Sequence, residues 1–298
     1  MSAARPGMDR PSTSTVLIAL LTLVAVVLPP ACAAPHTSER GTGSSGVPPA
    51  SSMATPSSVA VAAGLTESFV ALSQSLKADV GLAIGPTGAS GGAIIFGGWT
   101  AGPAWSTSKV PVVIAAMREQ NLSTPSTAMR DAITASDNDA AERVWDSLGD
   151  PDMAAQKVDA ILREAGDPTV VQASRIRPEY TAFGQTIWSL ADQERFLAKA
   201  ACDSRNASVL DMMTHIEASQ RWGLGTIQGS AFKGGWGPST AGKYLVRQFG
   251  IVRTPTGTFA VALAAEPITG SFDDGVAALN AIAQWVSSNL QQWPVGTC

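Results

Sequence analysis

The sequence places a nucleophile and a base at helical spacing. Ser106 is followed three residues later by Lys109, and an apolar run typical of a helix continues to Met117. Residues three apart on a helix share a face, so the Lys109 amine is expected to reach the Ser106 hydroxyl. A serine attacks a carbonyl only when a neighbouring base takes its proton, and a lysine can do so when burial keeps part of it uncharged. The pair therefore predicts acyl transfer through Ser106.

A helix that begins at Ser106 contributes to the same chemistry. Free N–H groups and the positive end of the helix dipole stabilise negative charge on an attacked carbonyl oxygen. The Ser-x-x-Lys spacing recurs at Ser230 and Lys233, but there the pattern is that of a strand, in which residues three apart point to opposite faces. Only the first pair is therefore a candidate nucleophile and base.

A second polar cluster lies between two predicted helices, where Ser136 and Asn138 flank Asp137. From such a turn, a hydroxyl and an amide two residues apart can project into one cleft. The hydroxyl can relay a proton, and the amide can orient a lysine or a substrate carbonyl. Ser, Asp and Asn are also common helix caps, so a purely structural role stays open.

A third cluster ends a predicted strand, where Lys233 is followed by Gly234, Gly235 and Trp236. A ligand can approach the backbone closely where side chains are missing. A lysine at such a point can anchor a carboxylate and lower the proton affinity of a nearby amine. The alternative is a strand end with a solvated lysine.

The elements that must hold these clusters follow from hydrophobic periodicity and turn signals. A helix over 65–76 precedes a hairpin of strands at 80–84 and 93–96. Further helices are predicted at 106–120, 127–135, 140–148, 153–165, 189–200, 209–220 and 274–290, and further strands at 230–233, 244–252 and 258–264. Strands at both ends with helices between them predict an α+β fold. One antiparallel sheet is built from both chain ends, and an inserted helical lobe leaves a cleft beside it.

The first 59 residues are expected to lie outside this fold. Residues 1–33 combine two arginines, an apolar run over 16–28 and a small-residue region, which is the pattern of a secretory signal. Residues 34–59 are rich in Ser, Pro, Thr and Gly and predict a flexible tether before a folded domain at 60–298.

The position of Cys32 indicates how the exported protein is held. Its surroundings resemble a bacterial lipobox, although Pro29 stands where leucine is usual. Lipidation of Cys32 predicts a membrane-anchored protein on the outer face of the cell envelope. Cleavage after Ala33 with free secretion is the alternative.

Composition limits the classes of partner and cofactor. The 298 residues carry a formal net charge of −4 and contain no basic cluster, so nucleic acid is not an expected partner.

The cysteine count indicates a possible disulfide. If Cys32 is lipidated or removed, Cys202 and Cys298 remain as an even pair that an oxidising compartment would join; two unrelated thiols are the alternative. The sequence has no His or Cys cluster with metal-ligand spacing, and we expect a monomer without a metal or cofactor.

The order of the three clusters resembles a known family. Ser-x-x-Lys, Ser-Asp-Asn and Lys-x-Gly, on a helix, an inter-helix turn and a strand, are typical of the penicillin-recognising serine enzymes. These include class A β-lactamases and D-alanyl-D-alanine peptidases. The resemblance covers 60–298 and implies an α+β fold of the β-lactamase and transpeptidase type, an acyl-enzyme intermediate, and β-lactams or peptidoglycan peptides as substrates.

The resemblance also implies catalytic roles. Ser106 would be the acylated nucleophile and Lys109 its base, while Ser136 would pass a proton to the leaving nitrogen. Asn138 would orient Lys109 and the substrate amide. The backbone N–H groups of Ser106 and Trp236 would form the oxyanion hole.

Substrate binding is implied for the strand that carries the third cluster. Lys233, with Gly235 and Trp236 beside it, would bind the substrate carboxylate. Arg247, on the next strand, falls where many class A enzymes keep a carboxylate-binding arginine; a solvent-facing arginine on an edge strand is the alternative.

Two departures from the family pattern affect the expected activity. The family has Thr or Ser in place of Gly234, with a hydroxyl that contacts the carboxylate, so a weaker grip on substrate is expected. Class A enzymes carry a Glu-Pro-x-x-Asn segment whose glutamate activates the deacylating water, whereas residues 175–183 contain Glu179 without that pattern. Glu179 is either a substitute or a surface carboxylate paired with Arg175 or Arg177.

The departures predict a serine hydrolase that is acylated but turns β-lactams over poorly, because acylation needs only the Ser-Lys-Ser machinery. The alternative is a catalytically weak or inactive envelope lipoprotein with a binding or sensing role.

Overall fold

The computed structural model describes residues 58–88 and 92–298 and is built around one antiparallel sheet. The strands in chain order are β1 (Ala78–Pro86), β2 (Ile94–Gly97), β3 (Ala101–Pro103), β4 (Ile187–Ser189), β5 (Ala231–Pro238), β6 (Tyr244–Thr254) and β7 (Gly257–Pro267). Five of them form the main sheet in the order β2-β1-β7-β6-β5, and β3 pairs with β4 in a small second sheet. The main sheet joins both ends of the described chain, because β1 pairs along its whole length with β7.

Eight helices accompany the strands in the described part of the chain. They are α1 (Ser58–Ser75), α2 (Lys109–Glu119), α3 (Thr127–Thr134), α4 (Asn138–Asp146), α5 (Pro151–Glu164), α6 (Leu190–Ala200), α7 (Ala207–Met212) and α8 (Phe272–Ser288). Several begin at a polar cap: the carboxylates of Asp137 and Asp150 and the hydroxyls of Ser189 and Ser271 each accept a backbone N–H of the first turn. The α+β architecture that the sequence predicts is confirmed.

The main sheet is covered on both faces. Side chains alternate along β6, so neighbouring residues point to opposite sides. Val246 lies against Gly275 of α8, and Arg247 reaches Gln193 of α6. Because α8 and α6 shield opposite faces, β7 is buried from Phe259 to Pro267 and its pattern is a continuous apolar run rather than an alternation.

The helix that begins at Lys109 is buried along most of its length. All residues of α2 from Lys109 to Met117 are buried, and the helix contacts α3, α4 and α5. A helix that is buried all round carries its first-turn side chains into the interior with it. The amine of Lys109 is therefore held inside the protein.

The structure differs from the predicted elements mainly at five places. The helix predicted at 65–76 begins at Ser58, so residues 58 and 59 of the predicted tether belong to α1. The helix predicted at 106–120 begins at Lys109, after a 3₁₀ turn at Trp105–Ser108, and the helix predicted at 209–220 ends at Met212. The strand predicted at 230–233 continues to Pro238. The β3–β4 pair was not predicted, because strands of three residues carry no measurable periodicity and depend on a distant partner.

Cys202 and Cys298 form a disulfide across 96 residues of sequence, so they are not two unrelated thiols. The predicted signal at 1–33, the tether at 34–59 up to residue 57, and Cys32 lie outside the described residues. In the described part of the chain, no helix has the length and apolar character needed to cross a bilayer.

Candidate active site

Ser106 lies in a tight turn at the edge of a cleft. The turn is the 3₁₀ segment Trp105–Ser108, in which residues three apart are stacked in line, so Ser106 and Lys109 lie one above the other. Trp105 adopts a left-handed backbone with φ of 50°, which is uncommon for a bulky residue and is typical of functional sites. Ser106 is partly exposed and lines a cleft of about 520 Å³.

The Lys109 amine points into the turn between α3 and α4. It donates hydrogen bonds to the backbone oxygen of Ser136 at 2.5 Å, to Asn138 Oδ1 at 2.8 Å and to the Asp137 oxygen at 3.2 Å. Burial lowers the pKa of Lys109 to about 7, while the negative charges of Asp137 and Glu142 oppose that shift. About half of a lysine with this pKa is uncharged at neutral pH, which is the state a base requires.

The predicted hydrogen bond between Lys109 and Ser106 is absent from the contacts of the described residues. The three donors of a charged lysine are instead directed at the α3–α4 turn. Lys109 stays in the interior and has not turned to bulk water, with 1% of its surface exposed. Proton transfer from Ser106 therefore requires the amine to leave one of these acceptors, and such contacts often tighten only when substrate binds.

Ser136 links the two lysines. Its hydroxyl accepts a hydrogen bond from Lys233 Nζ at 2.8 Å and lies 3.5 Å from Lys109 Nζ. Its left-handed backbone, with φ of 59°, directs its backbone oxygen and its hydroxyl toward these amines. Burial and the charge of Lys109 lower the pKa of Lys233 well below its usual value. Ser136, Lys109 and Lys233 therefore lie in contact with one another.

The edge of β5 presents backbone N–H groups to the nucleophile. Phe232 N–H donates out of the sheet to the Met213 oxygen at 3.0 Å, and because N–H directions alternate along a strand, Trp236 N–H also faces outward. A Cβ on Gly235 would lie 2.8 Å from the Ser106 backbone nitrogen. Glycine at 235 therefore lets the strand approach the Ser106 backbone nitrogen closely.

Gly234 lies on the other face of β5, under an indole ring. A Cβ there would be 3.2 Å from the Cη2 atom of Trp222, which packs edge-on against Trp236 and Phe272. A Thr or Ser side chain here would require the Trp222 ring to move by a few tenths of an ångström. Glycine at 234 therefore fits the close packing of Trp222 against this face of β5.

Arg247 does not lie in the cleft. It is completely buried on the α6 face of the sheet, where Nη1 donates to the backbone oxygens of Gly102 and Pro103 at 2.8 and 2.9 Å. Nη2 donates to the Trp188 oxygen at 3.0 Å and to Gln193 Oε1 at 2.6 Å. Neither the carboxylate-binding role nor the solvent-facing alternative fits these contacts. Arg247 instead ties the β3–β4 pair to the main sheet.

The segment that carries Glu179 forms one wall of the cleft. The guanidinium carbon of Arg177 lies over the rings of Trp105 and Tyr180, 5.2 and 4.7 Å from their centroids, and the two rings contact each other edge to face. Arg175 pairs with Glu142 at 3.0 Å. Among the described residues, neither Arg175 nor Arg177 forms an ion pair with Glu179, which lines the cleft with an exposed side chain.

Sequence reasoning did not identify Glu142, which lines the cleft beside Asn138 and Ser106. A signal was available: Glu142 follows Asn138 by four residues on α4, so both share a helical face. Tyr180 and Tyr244 also line the cleft and carried no such signal, because nothing in their local sequence relates them to Ser106. Among the described residues, no group of three or more His, Cys, Asp and Glu side chains could hold a metal ion.

Comparison with known proteins supports the fold. No protein-family model and no curated protein matches the sequence. The class A β-lactamase from Mycobacterium abscessus is 14% identical, with a TM-score of 0.60 over 76% of this chain and 99% of that one. The TLA-3 extended-spectrum β-lactamase is 15% identical, with a TM-score of 0.61 over 77% and 99% of the two chains. The chromosome-encoded β-lactamase of Vibrio parahaemolyticus is 15% identical, with a TM-score of 0.58 over 76% and 99%. At these identities the likeness is one of fold.

Proposed function

We propose that this chain is an exported serine hydrolase of the β-lactamase and penicillin-binding type that forms an acyl-enzyme on Ser106. Its acyl donors would be β-lactams or D-alanyl-D-alanine peptides of the cell wall. The observation that carries the proposal is the buried Lys109 amine, with a pKa lowered to about 7, in hydrogen-bond contact with Ser136 and Asn138. A structural lysine would more commonly be charged and solvated, whereas this one is suited to accept a proton.

Acylation would use the groups around Ser106 in turn. The uncharged Lys109 amine takes the hydroxyl proton as Ser106 Oγ attacks the carbonyl carbon, and the N–H groups of Ser106 and Trp236 stabilise the oxyanion. When the carbon–nitrogen bond breaks, Ser136 delivers its hydroxyl proton to the leaving nitrogen and recovers one from protonated Lys109, whose Nζ lies 3.5 Å from the Ser136 hydroxyl. The hydrogen bond that Lys233 donates to the Ser136 hydroxyl at 2.8 Å supports this role for Ser136.

The site is expected to bind an anionic substrate weakly. Gly234 offers no hydroxyl, Lys233 has no exposed surface, and the guanidinium of Arg247 is occupied by structural acceptors. The cleft is lined by three acidic residues, Asp139, Glu142 and Glu179, and by one basic residue, Arg175, which pairs with Glu142. β-Lactams carry a carboxylate, so repulsion by the acidic residues is expected to slow acylation. Slow release of the acyl group is expected for a separate reason, the absence of the Glu-Pro-x-x-Asn segment.

Export is the second part of the proposal. The signal at 1–33, the tether at 34–59 and Cys32 as a lipid-anchoring site are proposed from the sequence. The Cys202–Cys298 disulfide supports an oxidising compartment, because such bonds rarely persist in a reducing cytosol. We propose the outer face of the membrane as the site of action.

Intact-mass analysis after prolonged incubation with benzylpenicillin tests the proposal, with Ser106→Ala as the control. A long-lived adduct of the penicillin mass on the wild type alone is the expected result. Rapid accumulation of hydrolysed penicillin would refute the expectation of poor turnover. No adduct on either protein would favour the second candidate, a binding or sensing protein, for which the engagement of Lys109 with the α3–α4 turn instead of Ser106 is the supporting observation.

A further inference from the structure

A series of buried hydrogen bonds leads from Arg247 to the turn that carries Ser106. Arg247 Nη2 donates to Gln193 Oε1 at 2.6 Å, and Gln193 Nε2 donates to the Thr107 hydroxyl at 2.7 Å. The Thr107 hydroxyl in turn donates to the Ala104 backbone oxygen at 2.5 Å. Arg247, Gln193 and Thr107 are completely buried. The acylation scheme uses none of these three side chains.

The direction of each hydrogen bond in this series is set by Arg247. An arginine side chain has no acceptor, so the Gln193 amide must present its oxygen to Arg247 and its NH2 group to Thr107. A hydroxyl has one proton, and because the Thr107 hydroxyl accepts from Gln193, that proton goes to the Ala104 oxygen. Burial lowers the pKa of Arg247 to about 9, so the guanidinium is mostly charged at pH 7 and its hydrogen bonds are charge-assisted.

The last hydrogen bond fixes the peptide group that precedes Trp105. The Ala104 oxygen accepts both the hydroxyl and the backbone N–H of Thr107, the latter at 3.2 Å. On the other side of this peptide, Arg247 Nη1 donates to two backbone oxygens in β3. Trp105 follows with φ of 50°, a costly conformation that persists only where its surroundings impose it. The backbone at Trp105 determines where the next residue, Ser106, points.

We propose that Gln193 and Thr107 are positioning residues for acylation, which hold the Ala104–Trp105 peptide so that Ser106 faces its substrate. This inference rests on the proposed function, because it concerns the nucleophile of that reaction. The alternative is that the buried side chains only satisfy one another and stabilise the core. The two roles differ when the order of donors is changed while the side chains keep their shape, because positioning then affects the rate more than the stability.

Gln193→Glu changes the order of donors at nearly constant shape. A carboxylate still accepts from Arg247 and pairs with its charge, but it has no proton to give to Thr107. The Thr107 hydroxyl then donates to the carboxylate, and the Ala104 oxygen loses that hydrogen bond. The readouts are the rate of labelling by a fluorescent penicillin at pH 7, as a function of its concentration, and the midpoint of thermal unfolding. We expect the maximal labelling rate to fall at least about ten-fold, with a half-saturating concentration and an unfolding midpoint close to those of the wild type.

A matched pair of variants at Thr107 gives an independent answer, including the case in which Gln193→Glu does not fold. Thr107→Val removes the hydroxyl at nearly constant volume, whereas Thr107→Ser keeps the hydroxyl and loses a methyl group. Positioning predicts that the valine variant loses maximal rate at least about ten-fold and that the serine variant stays within about three-fold of the wild type. A role in core packing alone predicts no such rescue by serine.

The outcomes separate the possible failures. A folded Gln193→Glu protein that is labelled at the wild-type rate would overturn the proposal, and so would equal rates in Thr107→Val and Thr107→Ser. Rates that fall in all three variants in step with their unfolding midpoints would assign a structural role instead. Each of these results presupposes a labelled wild type and leaves the proposed function standing. A wild type that is not labelled at all would refute the proposed function, and with it any role in positioning Ser106 for acylation.

Discussion

The protonation state of Lys109 predicts how acylation depends on pH. With a pKa of about 7, the uncharged fraction of the amine is about 9% at pH 6 and about 91% at pH 8. If this amine takes the Ser106 proton, the acylation rate should rise about ten-fold between these two values and level off above pH 8. The sign follows from the chemistry, because only the deprotonated amine is a base.

Asp137 provides a matched perturbation. Its charge raises the pKa of Lys109, and its carboxylate caps α4 by accepting the Ala140 N–H. Asparagine caps helices about as well as aspartate, so Asp137→Asn removes the charge while keeping the cap. The midpoint of the pH profile should therefore move below 7, because an uncharged neighbour no longer stabilises the protonated amine.

The assay is the initial rate of labelling with a fluorescent penicillin between pH 5.5 and 9, with Ser106→Ala as the unlabelled control. Slow deacylation lets the label report acylation alone. A rate that is flat from pH 6 to 8, or a midpoint that moves upward in Asp137→Asn, would show that Lys109 is not the base.

Three further predictions concern the packing around the site and the stability of the domain. Gly235→Ala should reduce the labelling rate on the order of 100-fold, because its Cβ would lie 2.8 Å from the Ser106 nitrogen and displace the nucleophile. The control Gly234→Ala, on the opposite face of β5, should reduce the rate much less. Equal reductions in the two variants would contradict this geometry. Burial raises the pKa of Glu194 to about 7 from 4.5. Between these pH values the folded protein retains a proton that the unfolded chain has lost. The free energy of unfolding should therefore fall by about 3 kcal/mol as pH rises from 4.5 to 7. Urea unfolding of Glu194→Gln should show a pH dependence that is flatter by this amount; an unchanged slope would refute the burial argument. Reduction of Cys202–Cys298, which closes a loop of 96 residues, should lower stability by roughly 3–5 kcal/mol, measured by thermal unfolding with and without reductant.

Local signals in the sequence identified most of the fold. Most helices and strands were predicted within a few residues of their bounds, including β6 and β7, whose apolar runs reflect a sheet covered on both faces. The exceptions are the start of α1 at Ser58, predicted at 65, and the end of α7 at Met212, predicted at 220. The elements that were missed, β3 and β4, are three-residue strands that exist only because they pair with each other across the sequence. Helix α2 begins later than predicted because the 3₁₀ turn at Trp105–Ser108 has no sequence signal distinct from an α-helix.

By itself, the sequence determined which side chains could do the chemistry: a serine and a lysine at a three-residue spacing, a Ser-Asp-Asn turn and a lysine before glycines, all in the order of a known family. Only the tertiary structure decided which of them meet. Lys109 contacts Ser136 and Asn138 because a buried helix carries its first turn into the interior, and Arg247 turns away because the pleat of β6 points it at α6. Spacing along a chain specifies a face within one helix or strand, whereas the distance between faces of different elements depends on how the whole core packs.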